Sequence, residues 1–315
     1  MKIISSLENL RIEEKTAVAL GNFDGIHIGH REIMQAALDA ADKQGLRSLC
    51  FTFSNHPLNF ILQREDSDPD AVKLICTEEE KKELIEEMGF DILVNVPFDE
   101  TVMKMRAHDF FEGIVVSKLN AGFVSVGFNY TYGARAEGKP AMLKEECDNA
   151  GIGVSIRDAV MLDGHVVSST LIREMISTGN MEMTAKLLGR PYSFSGTVSH
   201  GKRLGTSMGI PTINIPASRR QMLPPNGVYF SRIKIDGRVF DSVSNLGINP
   251  TVNSDSTVKT IETNIFDFDD DVYGKDVIVC FDHFSRGERK FRDKEELFAQ
   301  IARDCENAVE YRKKR

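Results

Sequence analysis

The first half of the chain alternates apolar runs with stretches of helical periodicity. The apolar runs have the length of β-strands and cover residues 17–20, 47–53, 91–96 and 122–127. Helical patterns lie between them: an alanine-rich one after residue 30, one up to Met88 that Thr77 and Glu80 open as a capping box, and one over 109–118. This order predicts a parallel, doubly wound α/β sheet of the Rossmann-like kind, with ligands at the carboxyl ends of its strands.

The second half of the chain changes to a period of two. Helical patterns still cover 169–179 and 181–188, and the turn Gly189-Arg190-Pro191 ends them. Strand patterns then cover residues 193–200, 211–215, 227–235, 238–245, 258–268 and 276–284. Six strands with no helix between them fit a small antiparallel β-barrel or sandwich.

A terminal helix follows these strands. Asp293 and Glu296 cap its start. The apolar face, which has helical spacing, consists of Leu297, Phe298, Ile301, Cys305 and Val309. Two folds of different class in one chain indicate two separate tasks, and we expect domains at residues 1–186 and 187–315.

The composition narrows the function classes. The 315 residues are 41% hydrophobic and 27% charged, and the formal net charge is −8. These values are ordinary for a globular protein and argue against a general nucleic-acid surface, which needs a clustered basic footprint. Five widely spaced cysteines without a CxxC pair indicate reduced thiols, and the sequence has no signal-peptide or membrane-span pattern. We expect a cytoplasmic protein without a membrane or nucleic-acid partner.

The most informative segment reads Gly21-Asn22-Phe23-Asp24-Gly25-Ile26-His27-Ile28-Gly29-His30. A strand, a glycine-rich turn and a following helix offer free N–H groups and a positive dipole end to an anion. Two imidazoles in such a turn indicate a nucleoside triphosphate site that is not of the Walker type. The alternatives are two structural histidines, or a metal site, for which a third ligand is missing nearby.

The same His-Ile-Gly-His string also occurs in class I aminoacyl-tRNA synthetases, which adenylate amino acids on a related sheet. Their second motif, a Lys-Met-Ser-Lys-Ser loop, has no counterpart, because the matching position reads Ser169-Thr170-Leu171-Ile172-Arg173. The acidic charge and the lack of a tRNA-binding extension also count against this class. Transfer of an adenylyl or cytidylyl group is the favoured interpretation.

A second motif lies between residues 196 and 214. Gly201, Gly205 and Gly209, with Lys202 and Arg203 between them, make a flexible cationic loop suited to phosphates. Its spacing is neither that of a Walker loop nor that of a dinucleotide fingerprint. The G-x-S-x-G string at 205–209 lacks the helix that a hydrolase needs after it, and the acidic run at 267–271 lacks the glycine and carboxylate of a calcium loop.

Together these motifs resemble the bacterial bifunctional riboflavin kinase/FMN adenylyltransferases (FAD synthetases) over essentially the whole chain. The resemblance is carried by residues 21–30, 56–57, 127–133, 168–173, 201–214, 227–229, 245–251 and 261–264. It implies a Rossmann-like nucleotidyltransferase sheet followed by a six-stranded antiparallel barrel with a terminal helix. It also implies two ATP-dependent steps: riboflavin to FMN in the C-terminal domain, and FMN to FAD with release of pyrophosphate in the N-terminal domain.

The resemblance further implies the roles of individual residues. His27 and His30 would be the catalytic residues of adenylyl transfer. Glu262 would be the general base that accepts the proton of the ribityl 5′-hydroxyl in the phosphorylation of riboflavin. Thr212 and Asn214 would hold Mg²⁺ with ATP. The residues that would bind nucleotide or flavin are Gly21, Asn22, Phe23, Asp24, Gly29, His56, Asn129, Ser169, Thr170, Arg173, Gly201, Lys202, Gly205, Thr212 and Asn214.

Two positions depart from the pattern common among relatives. Phe128 and Ser54-Asn55 stand where many relatives carry acidic residues or proline, at the expected FMN and adenine end of the site.

Two other functions are weighed beside the bifunctional enzyme: an adenylyltransferase whose barrel only binds flavin, and a flavin carrier or regulator without turnover. The bifunctional enzyme is favoured because His27, His30, Thr212, Asn214 and Glu262 are all present.

Overall fold

The chain folds into two units, Met1–Ser169 and Thr170–Arg315, each built on its own six-stranded sheet. A computed structural model describes residues 1–64, 71–199, 211–217, 220–249 and 258–314. Within these segments, no helix has the length and apolar character that crossing a bilayer requires. All five cysteines are free thiols, as their spacing predicts.

The first unit is organised around a parallel sheet. Its strands are β1 (Lys2–Ile4), β2 (Thr16–Leu20), β3 (Arg47–Phe53), β4 (Ile92–Val96), β5 (Ala121–Gly127) and β6 (Gly153–Arg157), and a separate hairpin joins β7 (Met161–Leu162) and β8 (His165–Val166). The order is β1-β4-β3-β2-β5-β6, and every pairing is parallel. The predicted doubly wound α/β sheet is confirmed. The strand order reverses between β2 and β5.

In the described part of this unit, α-helices connect the strands. They are α1 (Ile28–Gln44), α2 (Pro57–Arg64), α3 (Glu78–Glu87), α4 (Glu100–Lys104), α5 (Ala107–Phe110) and α6 (Pro140–Ala150). The alanines of α1 face the sheet, where Ala37, Ala40 and Ala41 are buried. Thr77 caps α3 as predicted, because its Oγ1 accepts the N–H of Glu80 at 3.1 Å.

The helix expected over 109–118 differs from the prediction. It begins earlier, as α5, and continues as a π-helical turn over Phe111–Val116. The wider turn is visible in two backbone bonds that span five residues, from Ser117 N–H to the Glu112 carbonyl and from Leu119 N–H to the Ile114 carbonyl. Apolar periodicity does not distinguish such a turn from a regular helix.

The second unit begins with two helices and continues as a barrel. The elements are α7 (Ser169–Ser177), α8 (Met181–Leu188), β9 (Tyr192–Thr197), β10 (Thr212–Pro216), β11 (Gly227–Ile235), β12 (Arg238–Asn249), β13 (Val258–Ile265), β14 (Asp276–Gly287) and α9 (Lys294–Lys313). The antiparallel order is β10-β13-β12-β11-β14-β9. The Ser199 N–H donates to the Asn214 carbonyl at 2.8 Å, so the chain beyond β9 meets β10 and closes the sheet. The six-stranded barrel with its terminal helix is confirmed.

The two helices before the barrel pack against β14. Gly179, with φ of 76°, lies beside the Phe284 ring, and Glu182 Oε1 contacts His283 Nδ1 at 2.5 Å. These contacts explain why α7 and α8 belong to the second unit. The boundary at 186/187, drawn from the change in periodicity, falls near the end of α8 and stays a prediction.

A row of hydroxyl groups crosses the barrel interior. Ser231, Ser242, Ser244 and Thr263 are all buried. Ser231 Oγ lies 2.9 Å from Ser242 Oγ and 2.8 Å from Ser244 Oγ, and Ser244 Oγ lies 2.8 Å from Thr263 Oγ1. A hydroxyl both donates and accepts, so the row satisfies its own polar groups across β11, β12 and β13.

We expect Ser244→Ala to destabilise the barrel by about 1–3 kcal/mol, because buried hydroxyls on β11 and β13 each lose a partner. Urea unfolding of the whole chain measures this effect in the transition of the second unit. An unchanged midpoint for that transition would show that the hydroxyl row contributes no net stability.

Candidate functional site

A cavity of about 500 Å³ opens at the carboxyl edge of the parallel sheet. The turn after β2 and the segment after β5 form two of its walls, at the point where the strand order reverses. Doubly wound sheets bind ligands at this place, because the loops on either side diverge. The predicted site residues that line the cavity are Gly21, Asn22, Phe23, His30 and Asn129.

The turn after β2 has an unusual backbone. Phe23, Gly25 and Ile26 have φ angles of 48°, 83° and 40°. A left-handed conformation is costly for a branched residue such as Ile26. Phe23 and Ile26 are fully buried, so apolar packing offsets that cost. A Cβ on Gly21 would lie 2.6 Å from the Phe23 ring, which leaves room for glycine alone.

Asp24 and Ser169 hold this turn in place. The Asp24 carboxylate accepts the Ile75 N–H at 3.0 and 3.3 Å, and Ser169 Oγ donates to the Asp24 carbonyl at 3.1 Å. Asp24 is only 6% exposed and does not line the cavity. Its carboxylate therefore supports the loop before α3, a contact that sequence reasoning did not identify.

His27 forms the N-cap of α1. Its Nδ1 accepts the His30 N–H at 3.1 Å, and the two rings stack with centroids 3.5 Å apart. Because Nδ1 is an acceptor, the neutral ring carries its proton on Nε2. A Cβ on Gly29 would lie 3.2 Å from the His27 ring, so the predicted Gly29 leaves space for this stack.

His30 is held in its neutral form. Burial lowers the pKa of His30 well below 6.5, and the neighbouring His27 and Lys81 lower that pKa further. Its Nδ1 is buried with no hydrogen-bond partner among the described residues. The ring stands edge-on to Phe23 at 5.4 Å and lines the cavity. The motif therefore presents a neutral imidazole.

Lys81 is a buried cation beside the turn that the sequence analysis missed. It is 8% exposed, and its Nζ donates to the Phe53 carbonyl at 2.6 Å. Burial lowers the pKa of Lys81, whereas Cys76 and Asp24 act in the opposite direction. The spacing of Lys81 to Leu84 and Ile85 places it on the buried face of α3, and this signal could have found it.

Much of the cavity wall is aromatic. The rings that line it belong to Phe23, His30, Phe51, Phe53, Phe98, Phe110, Tyr130 and Tyr132. Tyr130 and Tyr132 stack with centroids 5.8 Å apart, and Phe53 and Phe98 meet edge-on at 5.2 Å. Such a wall favours a planar, largely apolar ring system.

The positions that depart from the common pattern lie outside this wall. Phe128 is 47% exposed and does not line the cavity. The Asn55 amide donates to the Phe98 carbonyl at 3.0 Å and accepts the Phe98 N–H at 2.6 Å, so it joins two loops. His56 lines a small adjoining cleft with Lys81, and its Nδ1 accepts the Leu58 N–H at 3.3 Å.

The remaining nucleotide-binding residues expected from the motifs are distributed over the second unit. Thr170 and Arg173 lie on α7. Gly201, Lys202 and Gly205 lie outside the described residues, so their predicted phosphate contacts stay predictions. Thr212, Asn214 and Glu262 lie on the barrel.

A second cavity of about 290 Å³ lies between the barrel and α9. Glu262 on β13 pairs directly with Asn214 on β10 and with Asn245 on β12. Residues paired in this way point to the same face of a sheet, so one carboxylate lies between two amides. Glu262, Asn245 and Thr212 line the cavity, and Asn214 is 8% exposed in the same row.

The other walls of this cavity combine apolar side chains with a fixed ion pair. Its apolar part consists of Val228, Val243, Phe291, Leu297, Phe298 and Ile301. Arg286 donates to both oxygens of Asp304 at 2.6–3.2 Å, and Asp304 is 3% exposed. The predicted apolar face of α9 thus lines a cavity, with Val309 outside it and 40% exposed.

Comparison with known proteins agrees with this geometry. The family model described as FAD synthetase matches residues 9–171, and the model described as riboflavin kinase matches residues 188–312. The bifunctional riboflavin kinase/FMN adenylyltransferase of Haemophilus influenzae is 32% identical over 310 residues, which cover 98% of each chain. The protein of the same name from Bacillus subtilis is 32% identical over 300 residues, 95% of this chain and 93% of its own.

The chain belongs to the bifunctional riboflavin kinase/FMN adenylyltransferase family. A solved structure described as a macrolide-efflux protein from Streptococcus pneumoniae has the same fold, with a TM-score of 0.88, 31% identity and 98% coverage of each chain. The residues that match the FAD synthetase model include the parallel sheet, and those that match the riboflavin kinase model include the barrel. This family member is an enzyme with ATP-dependent kinase and adenylyltransferase activities on riboflavin and FMN.

We expect the His30 ring to stay uncharged at pH 6.5, because burial and the neighbouring His27 and Lys81 lower its pKa. NMR titration of the ring Cε1–H signal measures this. Lys81→Met removes one cation and raises the pKa of His30. A His30 midpoint at or above 6.5 in the wild-type protein would contradict the prediction.

The same shift has a consequence for stability. The pKa of His30 is lower in the folded chain than in the unfolded chain, so the unfolded chain binds the proton more readily. The contribution of His30 to the free energy of unfolding is therefore present above about pH 6.5 and decreases as the pH falls below that value.

Proposed function

We propose that FMN is adenylylated in the cavity of the parallel sheet. The observation that carries this proposal is the continuity of the cavity from an aromatic wall to the turn after β2 and to His30 in the first turn of α1. The aromatic wall suits the isoalloxazine ring of FMN, and the turn suits the phosphates of ATP. The loops after β2 and β5 then bring the two substrates together.

In this reaction an oxygen of the FMN phosphate attacks the α-phosphorus of ATP in line, and pyrophosphate leaves. The attacking phosphate is already ionised at neutral pH, so no side chain has to remove a proton from it. His27, protonated on Nε2, and His30 act as neutral groups against the triphosphate, beside the free N–H groups of α1. Ser169, Thr170 and Arg173 are the further phosphate-binding candidates.

The phosphorylation of riboflavin is proposed for the barrel cavity. Here the ribityl 5′-hydroxyl attacks the γ-phosphorus of ATP, ADP leaves, and the hydroxyl has to lose its proton as the phosphoryl group arrives. Glu262 is the carboxylate of the polar row and serves as the general base. The apolar wall beneath α9 would hold the flavin ring, and Asn245 and Asn214 would orient the carboxylate and the substrate.

Mg²⁺ fits the residues beside Glu262. The Thr212 hydroxyl and the Asn214 amide oxygen are hard oxygen donors on alternate positions of β10, which places them on one face. Two protein oxygens, with water and phosphate oxygens, are typical of Mg²⁺ bound with ATP. The ion would neutralise phosphate charge there. Location in the cytoplasm and the lack of a nucleic-acid partner stay predictions.

A chromatographic assay of the whole chain with riboflavin, ATP and Mg²⁺ tests both sites. We expect FMN and FAD from the wild-type protein. His30→Ala should abolish FAD formation and leave FMN formation intact, whereas Glu262→Gln should abolish FMN formation and leave FAD formation from added FMN intact. Losses of at least about a hundredfold are expected, the size typical of removing a general base or a transition-state contact.

Two matched variants serve as controls. His165 is an exposed histidine on β8 and Glu295 is an exposed glutamate on α9, so His165→Ala and Glu295→Gln should leave both activities unchanged. FAD from FMN without any FMN from riboflavin would favour a single-activity adenylyltransferase. No product in either step would favour a flavin carrier. Loss of both activities in folded His30→Ala would contradict separate sites.

A further inference from the structure

The Tyr132 ring lines the adenylyl-transfer cavity, but its hydroxyl points to a partner outside that cavity. Tyr132 is 5% exposed, and its hydroxyl donates to Glu146 Oε2 at 2.5 Å. Glu146 lies on α6 and is not among the residues that line the cavity. The contact therefore ties one wall of the cavity to a helix behind it.

The Tyr132 ring is confined from its other sides. A Cβ on Gly138 would lie 2.6–2.7 Å from three carbons of the ring, so the Gly138 backbone packs directly against it. Tyr130 stacks on the ring at 5.8 Å, and Phe110 lies 5.7 Å away. With these neighbours in place, the open direction for the ring is toward the cavity. The hydroxyl bond to Glu146 opposes that movement.

Glu146 is suited to this task because it is itself fixed. Its side chain is 11% exposed, and its other oxygen lies 3.2 Å from Nδ1 of His108. Burial raises the pKa of Tyr132, and the hydrogen bond to Glu146 raises it further, so the hydroxyl keeps the proton that it donates. A hydrogen bond to a carboxylate is stronger than one between neutral groups.

We propose that Glu146 is a positioning residue for adenylyl transfer, holding the Tyr132 ring in the wall against which the flavin ring of FMN packs. The inference rests on the proposed function, in which this cavity binds FMN. Glu146 touches neither substrate, so its effect is on the KM for FMN. The rate constant of the chemical step, set at the His27–His30 turn, stays nearly unchanged.

The test measures FAD formation from FMN and ATP with the whole chain. Glu146→Ala should raise the KM for FMN roughly fivefold to tenfold, the factor that one hydrogen bond corresponds to, with kcat nearly unchanged. Glu146→Gln keeps an acceptor oxygen and should restore most of the affinity. Glu145→Ala changes an exposed glutamate next to it on α6 and is the matched control, with no expected effect.

A double-mutant cycle separates positioning from general damage to the fold. Tyr132→Phe removes the hydroxyl and should raise the KM for FMN about as much as Glu146→Ala does. In the Tyr132→Phe background, Glu146→Ala should add nothing, since the bond is already gone. An equal effect of Glu146→Ala in both backgrounds would overturn the inference, and so would an unchanged KM in Glu146→Ala alone.

Tyr132→Ala distinguishes this inference from the proposed function itself. If removal of the ring raises the KM for FMN but Glu146→Ala does not, FMN binds in the cavity and the positioning role of Glu146 is wrong. If removal of the ring leaves the KM unchanged, FMN does not pack against Tyr132. The placement of FMN in this cavity then fails, and the role of Glu146 fails with it.

Discussion

The start of α1 is held by a hydrogen bond in which the His30 N–H donates to Nδ1 of His27. Because the acceptor is the N-cap side chain, this bond fixes the start of the helix and the tautomer of His27 together. It also places the His30 ring on the His27 ring, 3.5 Å away. Two imidazole rings in such contact would repel each other if both were protonated. The same hydrogen bond therefore determines the geometry of the turn and favours uncharged rings in it.

The two proposed sites use different catalytic groups because their nucleophiles differ. FMN brings an ionised phosphate to the parallel sheet, where hydrogen-bond donors suffice and a base is unnecessary. Riboflavin brings a hydroxyl to the barrel, where a carboxylate has to accept its proton. Glu262 lies between Asn214 and Asn245, whereas the nearby Arg286 is engaged by Asp304. The proposed base therefore has an amide neighbour on each adjoining strand.

Sequence patterns predicted the elements well, because caps and periodicity are local. Thr77 and Asp293 cap their helices as expected, and the change of period separates the sheet from the barrel. Contacts between distant segments were not predictable in the same way. Lys81 meets the Phe53 carbonyl across 28 residues, and Asp24 meets Ile75 across 51. Cross-strand register, which gives Glu262 its amide neighbours, also depends on the whole sheet.

A sequence motif does not show which of its residues contact the substrate and which only support the residues that do. Asp24 belongs to the motif after β2, yet its carboxylate supports a loop away from the cavity. Lys81 and Glu146 lie outside every motif, yet both form hydrogen bonds with residues of the cavity wall. Lys81 donates to the Phe53 carbonyl, and Glu146 accepts the Tyr132 hydroxyl. What the three share is low exposure together with a specific hydrogen-bond partner. In this fold that combination identifies supporting residues, because a carboxylate or ammonium group that leaves water needs a hydrogen-bond partner to offset the cost.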